Sequence, residues 1–175
     1  MITKLWKALS IERLKELFHE LNCIQYGRFQ LASGGTSDYK IFSDPLFKNS
    51  EAREILGNIG YEMFKEIEQY EIVGVVTGGY EFAKLVAERA GRESIGVNPH
   101  NGEIKGIPKK ENFCYFEDVV TKGGSILKCR KILNKNDGKD NRSITIVDRE
   151  EGAKENLRKN GIELKSILTK TELGL

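Results

Sequence analysis

The sequence predicts an α/β fold: a central, mostly parallel sheet flanked by helices, with a small N-terminal segment leading into it. Three observations carry that expectation. Short β-branched apolar runs recur from residue 71 onward, glycines or polar breakers close each run, and a stretch of helical periodicity follows most of them. Strands that are apolar on both faces and alternate with helices of about ten residues make βαβ units, whose sheets are buried on both sides.

The elements follow in order. Ser10 to Asn22 places Ile11, Leu14, Leu17, Phe18 and Leu21 at helical spacing, with charged residues between them. A second helix is expected from Ser50 to Tyr70, with Ser50 as its cap and Glu51 and Glu54 in the favourable first turn. Its apolar stripe is Ile55, Ile59, Met63 and Ile67, weakened by Gly57 and Gly60. Ile72 to Val76 then reads as a strand closed by Thr77-Gly78-Gly79, with a helix over Glu81 to Ala90 that ends at Gly91. Ser94 to Val97 is a second strand, stopped by Asn98-Pro99, and Phe113 to Phe116 is a third. Gly123-Gly124 and a helix from Ser125 to Leu133 come next. Ser143 to Val147, a helix over Glu151 to Asn160, Gly161 and a run of Ile162 to Leu168 complete the pattern.

Composition removes several classes of function. The chain of 175 residues suits one domain, and no repeat, low-complexity tract or Pro/Ser-rich linker divides it. Lys and Arg number 28 against 26 Asp and Glu, a net charge of +2 and too even to suggest nucleic acid or a membrane as partner. No apolar run approaches the roughly 20 residues of a membrane span. Met1 to Lys7 has no apolar signal-peptide core, and the odd set Cys23, Cys114 and Cys129 fits no disulfide framework or zinc knuckle. A cytoplasmic location is expected.

Parallel sheets bind ligands at the carboxyl ends of their strands, which directs attention to residues 77–81, 98–110, 117–125 and 148–150. The sharpest signal is Glu117-Asp118-Val119-Val120-Thr121-Lys122-Gly123-Gly124-Ser125. Two carboxylates end an apolar strand, and a turn rich in glycine and hydroxyls opens a helix. Glycine lets a backbone approach a phosphate closely, and a helix N-terminus favours its charge. Glu117 and Asp118 stand where the hydroxyls of a ribose attached to that phosphate would lie, and carboxylates accept well from diols. The spacing is not that of a Walker loop.

This stretch resembles the phosphoribosyl-diphosphate (PRPP) motif of type I phosphoribosyltransferases, and the chain more narrowly resembles the orotate phosphoribosyltransferase family. Phe29 to Tyr39, with Ala32, Ser33 and Gly34 within it, is similar to that family's base-binding segment. Asp148-Arg149-Glu150 through Leu157, then Gly161 to Thr169, is similar to its C-terminal signature. The resemblance runs from about residue 10 to the end, with the three motifs in the expected order.

What the resemblance implies is specific. The fold would be type I phosphoribosyltransferase-like, with residues 1–45 as N-terminal helix and hood and residues 46–175 as the PRPP-binding core. Thr121 to Ser125 would hold the 5′-phosphate of PRPP, and Glu117 and Asp118 its ribose hydroxyls. Thr77-Gly78-Gly79-Tyr80 would be the pyrophosphate loop, with Mg²⁺ entering on the diphosphate rather than through an assigned protein ligand. Arg149 matches the arginine that pairs with the orotate carboxylate, with Phe29, Ser33 and Gly34 beside the base. The reaction would convert orotate and PRPP to orotidine 5′-monophosphate and pyrophosphate in pyrimidine biosynthesis, in a homodimer.

The resemblance breaks at the family's basic lid, Arg-Lys-Glu-x-x-Lys-x-His-Gly. In its place stands Asn98 to Lys110, shorter and without arginine, leaving Lys105, with Glu117 and Asp118, as catalytic candidates and His100 as either a remnant of the catalytic histidine or a plain loop histidine. Ala32 and Phe42 replace a lysine and an acid, and Glu81 adds negative charge beside the pyrophosphate loop. Two further readings follow from these departures: a member of the fold that binds PRPP or a nucleotide without turnover, and a transferase for another base. Simpler roles suffice elsewhere. His19 is a helix residue with some exposure, Cys114 and Cys129 are core, and Lys135 to Arg142 is a solvated loop whose charges need no partner.

Overall fold

The computed structural model, which describes residues 4–31, 35–133 and 141–175, contains the parallel sheet that the apolar runs predict. Two units divide the chain, Met1–Ile55 and Leu56–Leu175, and the sheet belongs to the second.

In the first unit, α1 (Lys4–Glu20) buries Leu14, Leu17 and Phe18. It starts at Lys4 rather than Ser10, because Lys4 to Leu9 contains nothing that breaks a helix. Asn22, at φ 53°, turns the chain out of it while the N–H of Cys23 donates to the Phe18 carbonyl at 2.9 Å. Strands β1 (Ile24–Leu31) and β2 (Gly35–Ile41) form an antiparallel pair with Ile24 opposite Ile41. The sequence reading did not foresee this hairpin, since most of its side chains are polar or exposed and give no apolar alternation. A short helix α2 (Asp44–Lys48) follows, with Pro45 in its first turn.

Helix α3 (Ser50–Phe64) is capped from Asn49, whose Oδ1 accepts the Ala52 N–H at 2.9 Å, and not from Ser50. It also ends before Tyr70, passing into a 3₁₀ turn at Lys65–Ile67. Beyond it, Arg92 donates to the carbonyls of Glu68 and Tyr70 at 2.7 and 2.9 Å. Gly60, unfavourable for the helix on its own, faces Val86 and Phe82; a Cβ there would stand 2.6 Å from Val86 Cγ2.

The second unit holds β3 (Glu71–Val75), α4 (Gly78–Ala90), β4 (Ile95–Val97), β5 (Ile104–Lys105), β6 (Phe113–Val120), α5 (Gly124–Leu133), β7 (Asn141–Asp148), α6 (Ala153–Lys159) and β8 (Ile162–Thr169). The sheet runs β5-β4-β3-β6-β7-β8, parallel except for β5. On one face, Tyr115, Val97, Ile126, Cys129 and Leu157 form a continuous core. On the other, Phe116 meets Phe82 edge to face at 5.4 Å and Phe64 at 6.0 Å. Cys114 and Cys129 are both buried in this unit, as expected.

One expectation needs correction. Arg142 is no loop residue: it lies in β7 and its Nε meets Glu163 at 3.2 Å, while neighbouring Asn141 is fully buried and accepts the Phe113 N–H. Lys135 to Lys139 and Asp140 lie outside the described residues. The segment beginning at Asn98 follows β4. It folds into a tight turn with the Asn98 N–H on the Glu103 carbonyl at 2.9 Å, then pairs β5 with β4.

Candidate active site

Strands β3, β4, β6 and β7 are parallel, so their carboxyl ends, and the segments that follow, share one edge of the sheet. Glu117 and Asp118 lie within β6, near its carboxyl end, rather than beyond it. Glu117 is buried, and Asp118 is half-buried. The Thr145 hydroxyl donates to the Asp118 carbonyl at 3.2 Å and holds the backbone that carries the acid. Burial, then the charge and hydrogen bonding of Asp118, push the Glu117 carboxyl well above its ordinary range. Nearby, burial and Glu117 raise the Cys129 thiol to about 12, so it is an inert core group whose Sγ sits 3.6 Å from the Val97 carbonyl.

Beyond β6 the chain bends through Thr121, Lys122 and Gly123 and enters α5 at Gly124. Val120 is buried beneath the bend, Val119 and Thr121 are half-exposed, and Lys122, Gly124 and Ser125 are open to solvent. Gly123 adopts φ 76°, and a Cβ on it would stand 2.8 Å from Leu157 Cγ, so the position accepts glycine on two counts. Leu127 donates its N–H to the Gly123 carbonyl at 3.1 Å to start the helix, and the Asn156 side chain donates to the Lys122 carbonyl at 2.7 Å. A turn so fastened, at the N-terminus of a ten-residue helix, suits an anion.

Residues 77–81 stand beside it. The helix begins at Gly78, not Glu81, because the two glycines are buried and let its first turn press on β6: a Cβ on Gly79 would lie 2.8 Å from Glu117 Cα. The Val76–Thr77 peptide is cis. Glu81 does not stand alone, since Lys84 Nζ meets its carboxylate at 2.6 Å and lies 5.2 Å from the Tyr80 ring centre.

After β7, Arg149 is buried, with its Nε 2.9 Å from a Glu151 carboxylate oxygen and its N–H on the Val120 carbonyl at 3.0 Å. Glu150, at φ 57°, accepts from the Thr171 N–H and hydroxyl, and its own N–H donates to Asp148 Oδ1 at 2.9 Å. This makes the turn that carries Arg149 rigid on both sides. Lys105 is exposed on β5 and, with Tyr80, Lys84 and Arg92, lines a cavity of about 700 Å³ along α4. None of residues 117–125 lines that cavity. His100 sits in the 98–103 turn, its N–H on Asn98 Oδ1.

Phe29, half-buried, stands opposite Ser37 in the β1–β2 pair of the first unit; Ala32, Ser33 and Gly34 lie outside the described residues. Thr145 and Asn156 were not singled out from sequence as parts of the site. Both act through main-chain carbonyls, which leave no motif.

The comparisons with known proteins fit this geometry. The orotate phosphoribosyltransferase of Methanocaldococcus jannaschii is 35% identical over 171 residues, covering 92% of this chain and 95% of its relative. The chain belongs to the orotate phosphoribosyltransferase family. A second member, from Picrophilus torridus, is 33% identical over 172 residues, covering 91% of this chain and 99% of its own. The crystal structure of orotate phosphoribosyltransferase from Aeropyrum pernix superposes with a TM-score of 0.79 at 26% identity, over 91% of this chain and 96% of that one. An adenine phosphoribosyltransferase from Leishmania donovani shares the fold alone, with a TM-score of 0.64 at 13% identity over 91% of this chain and 80% of that one. No family model matches the chain. Among the described residues, no helix is long and apolar enough to cross a membrane.

Proposed function

We propose that the chain transfers the phosphoribosyl group of PRPP to orotate, giving orotidine 5′-monophosphate and pyrophosphate, a step of pyrimidine biosynthesis. The observation that carries this reading is the linkage of a buried arginine to the phosphate turn: Arg149 follows β7 directly, and its N–H is bonded to Val120 at the end of β6. A guanidinium there suits a base bearing a carboxylate, and would have no such partner in a neutral purine. Family membership supports the same substrates.

In this reading the Thr121–Ser125 turn binds the 5′-phosphate, Asp118 and Glu117 accept from the ribose hydroxyls, and the Thr77–Tyr80 segment receives the diphosphate. An orotate ring nitrogen attacks the anomeric carbon as the bond to the diphosphate breaks, positive charge develops on the sugar, and the proton that the nitrogen loses is taken up by the departing diphosphate. The Asp118 carboxylate stands by the developing cation, and donors of the first turn of α4 face the leaving group. Closing water out protects that cation from hydrolysis. Asp118 is a hard oxygen donor of the kind Mg²⁺ takes alongside substrate phosphates, which fits a metal carried on the diphosphate. When bound, Mg²⁺ neutralises charge on the leaving group. Lys105 contributes a cation from the shortened lid segment.

A homodimer and a cytoplasmic location belong to the same reading. Three free, buried cysteines support the location, and gel filtration with light scattering tests the assembly. The decisive experiment is a spectrophotometric assay with orotate, PRPP and Mg²⁺ beside calorimetric titration of each ligand. Orotate loss that depends on PRPP and stops with chelator supports the reading. PRPP binding without orotate turnover overturns it.

A further inference from the structure

Each peptide unit points its C=O and its N–H in opposite directions. In the 121–124 turn, the carbonyl of Lys122 is held by the side-chain amide of Asn156 at 2.7 Å, from the first half of α6. The N–H that shares this peptide plane is that of Gly123, and it is therefore directed away from α6. A glycine at φ 76° leaves such a plane easily rotated, and rotation would exchange the N–H for a carbonyl oxygen on the side where an anion binds. Leu157, the next residue of α6, packs on Gly123 and restrains the position of the turn. It bears no donor and has no hold on the orientation of the plane. Asn156 is itself fixed, with its N–H on the Gly152 carbonyl at 3.1 Å and its own carbonyl accepting from the Asn160 side chain at 2.8 Å.

We infer that Asn156 is a positioning residue for PRPP: its amide locks the Lys122–Gly123 peptide with the N–H outward and so selects the phosphate-binding form of the turn. It touches no substrate. The inference rests on the reading of Thr121–Ser125 as the phosphate site. Its effect falls on PRPP affinity and leaves orotate recognition and the chemical step alone.

The test compares Asn156→Leu, which keeps the size but removes the donor, with Asn156→Gln, which keeps a donor on a longer arm. PRPP affinity is measured by calorimetry on the full chain with Mg²⁺, and kinetics and thermal melting accompany it. The expected result for Asn156→Leu is about tenfold weaker PRPP binding, from the loss of one neutral hydrogen bond, with orotate KM and kcat at saturating PRPP within about twofold. Asn156→Gln recovers part of the affinity. PRPP affinity within about twofold of wild type in Asn156→Leu overturns the inference, as does equal loss with both variants. Ser125→Ala separates the two readings. If that variant binds PRPP normally, the phosphate turn itself is misassigned; if it weakens PRPP while Asn156→Leu does not, only the positioning role fails.

Discussion

Arg149 donates its backbone N–H to the carbonyl of Val120 at 3.0 Å, which joins the residue after β7 to the last residue of β6. The bond lies just beyond the ladder in which Val120 pairs with Asp148, so it extends the sheet by one step into the loops. In the proposed function, a base carboxylate held by the Arg149 side chain and a ribose phosphate held after Val120 are positioned by two neighbouring strands that this bond ties together. On that reading, precision at the anomeric carbon comes from the sheet and does not depend on loop closure alone.

Arg149→Ala is expected to lower kcat/KM for orotate by about 100-fold or more, since a charge-assisted fork is lost, while PRPP affinity changes little. The backbone bond to Val120 survives the substitution, so the turn keeps its shape. Arg149→Lys keeps the charge and loses the fork, and falls between the two. Steady-state kinetics with each substrate varied checks this; equal loss for both substrates would indicate damage to the fold.

Asp118→Asn removes a charge that is half-exposed at the sheet edge and leaves the main-chain bond from Thr145 in place. PRPP binding should weaken by about ten- to a hundredfold, the range for hydrogen bonds to a charged acceptor. Calorimetry with PRPP and Mg²⁺ measures it. Unchanged affinity would show that the ribose hydroxyls lie elsewhere.

Glu117 gives a pH dependence whose sign is fixed. Burial first, and Asp118 second, raise its folded-state value well above the ordinary 4.5. The folded protein then keeps this proton where the unfolded chain has released it, so stability is lost as pH rises from the ordinary value through the raised one. Glu117→Gln has no proton to lose. In ligand-free melts, the difference in Tm between Glu117→Gln and wild type should therefore move in favour of the variant from about pH 5 to about pH 7.5. A constant difference across that range would show that Glu117 titrates normally.

The parallel core was legible because buried strands announce themselves: Ile72 to Val75 and Phe113 to Phe116 have apolar side chains, or glycine, at each step. The sheet also draws in residues that sequence left outside the strands. Glu117, Asn141 and Asp148 are strand residues because ladder pairing with their neighbours outweighs their low strand propensity, and Asp118 lies in β6 between paired residues. The β1–β2 hairpin and β5 went unread for the opposite reason, since Gln25, Tyr26, Arg28 and Lys105 are exposed and carry no apolar alternation. Within the site, glycines, acids and Arg149 form patterns in sequence. The bonds from Thr145 and Asn156 to carbonyls of Asp118 and Lys122 do not, because any residue supplies a carbonyl.

Lys105→Ala addresses the shortened lid. The side chain is exposed on a two-residue edge strand, and nothing in the core depends on it. Stability should be unchanged, with kcat reduced by about tenfold and the KM for PRPP within about twofold, the pattern of a contact made in the transition state. Stopped-flow or initial-rate kinetics decides the matter. No effect on either parameter would remove Lys105 from the site.

Gly79 and Gly57 should respond unequally to alanine. A Cβ on Gly79 meets main chain, 2.8 Å from Glu117 Cα and nearer still to the Phe116 carbonyl oxygen, and neither can move without dragging β6. Gly79→Ala should cost about 1–3 kcal/mol in urea unfolding and should also weaken PRPP, because the displaced strand carries Glu117 and Asp118. A Cβ on Gly57 meets the far end of the Arg89 side chain, which can swing aside by giving up its bonds to Asn58 Oδ1 and the Leu85 carbonyl. There the gain in helix propensity, about 0.5–1 kcal/mol, offsets the disturbance, and stability should change by less than about 1 kcal/mol. Equal losses at both positions would mean that β6 yields as readily as a flexible side chain, and that the close seat of α4 on the strand is not what holds the two acids in place.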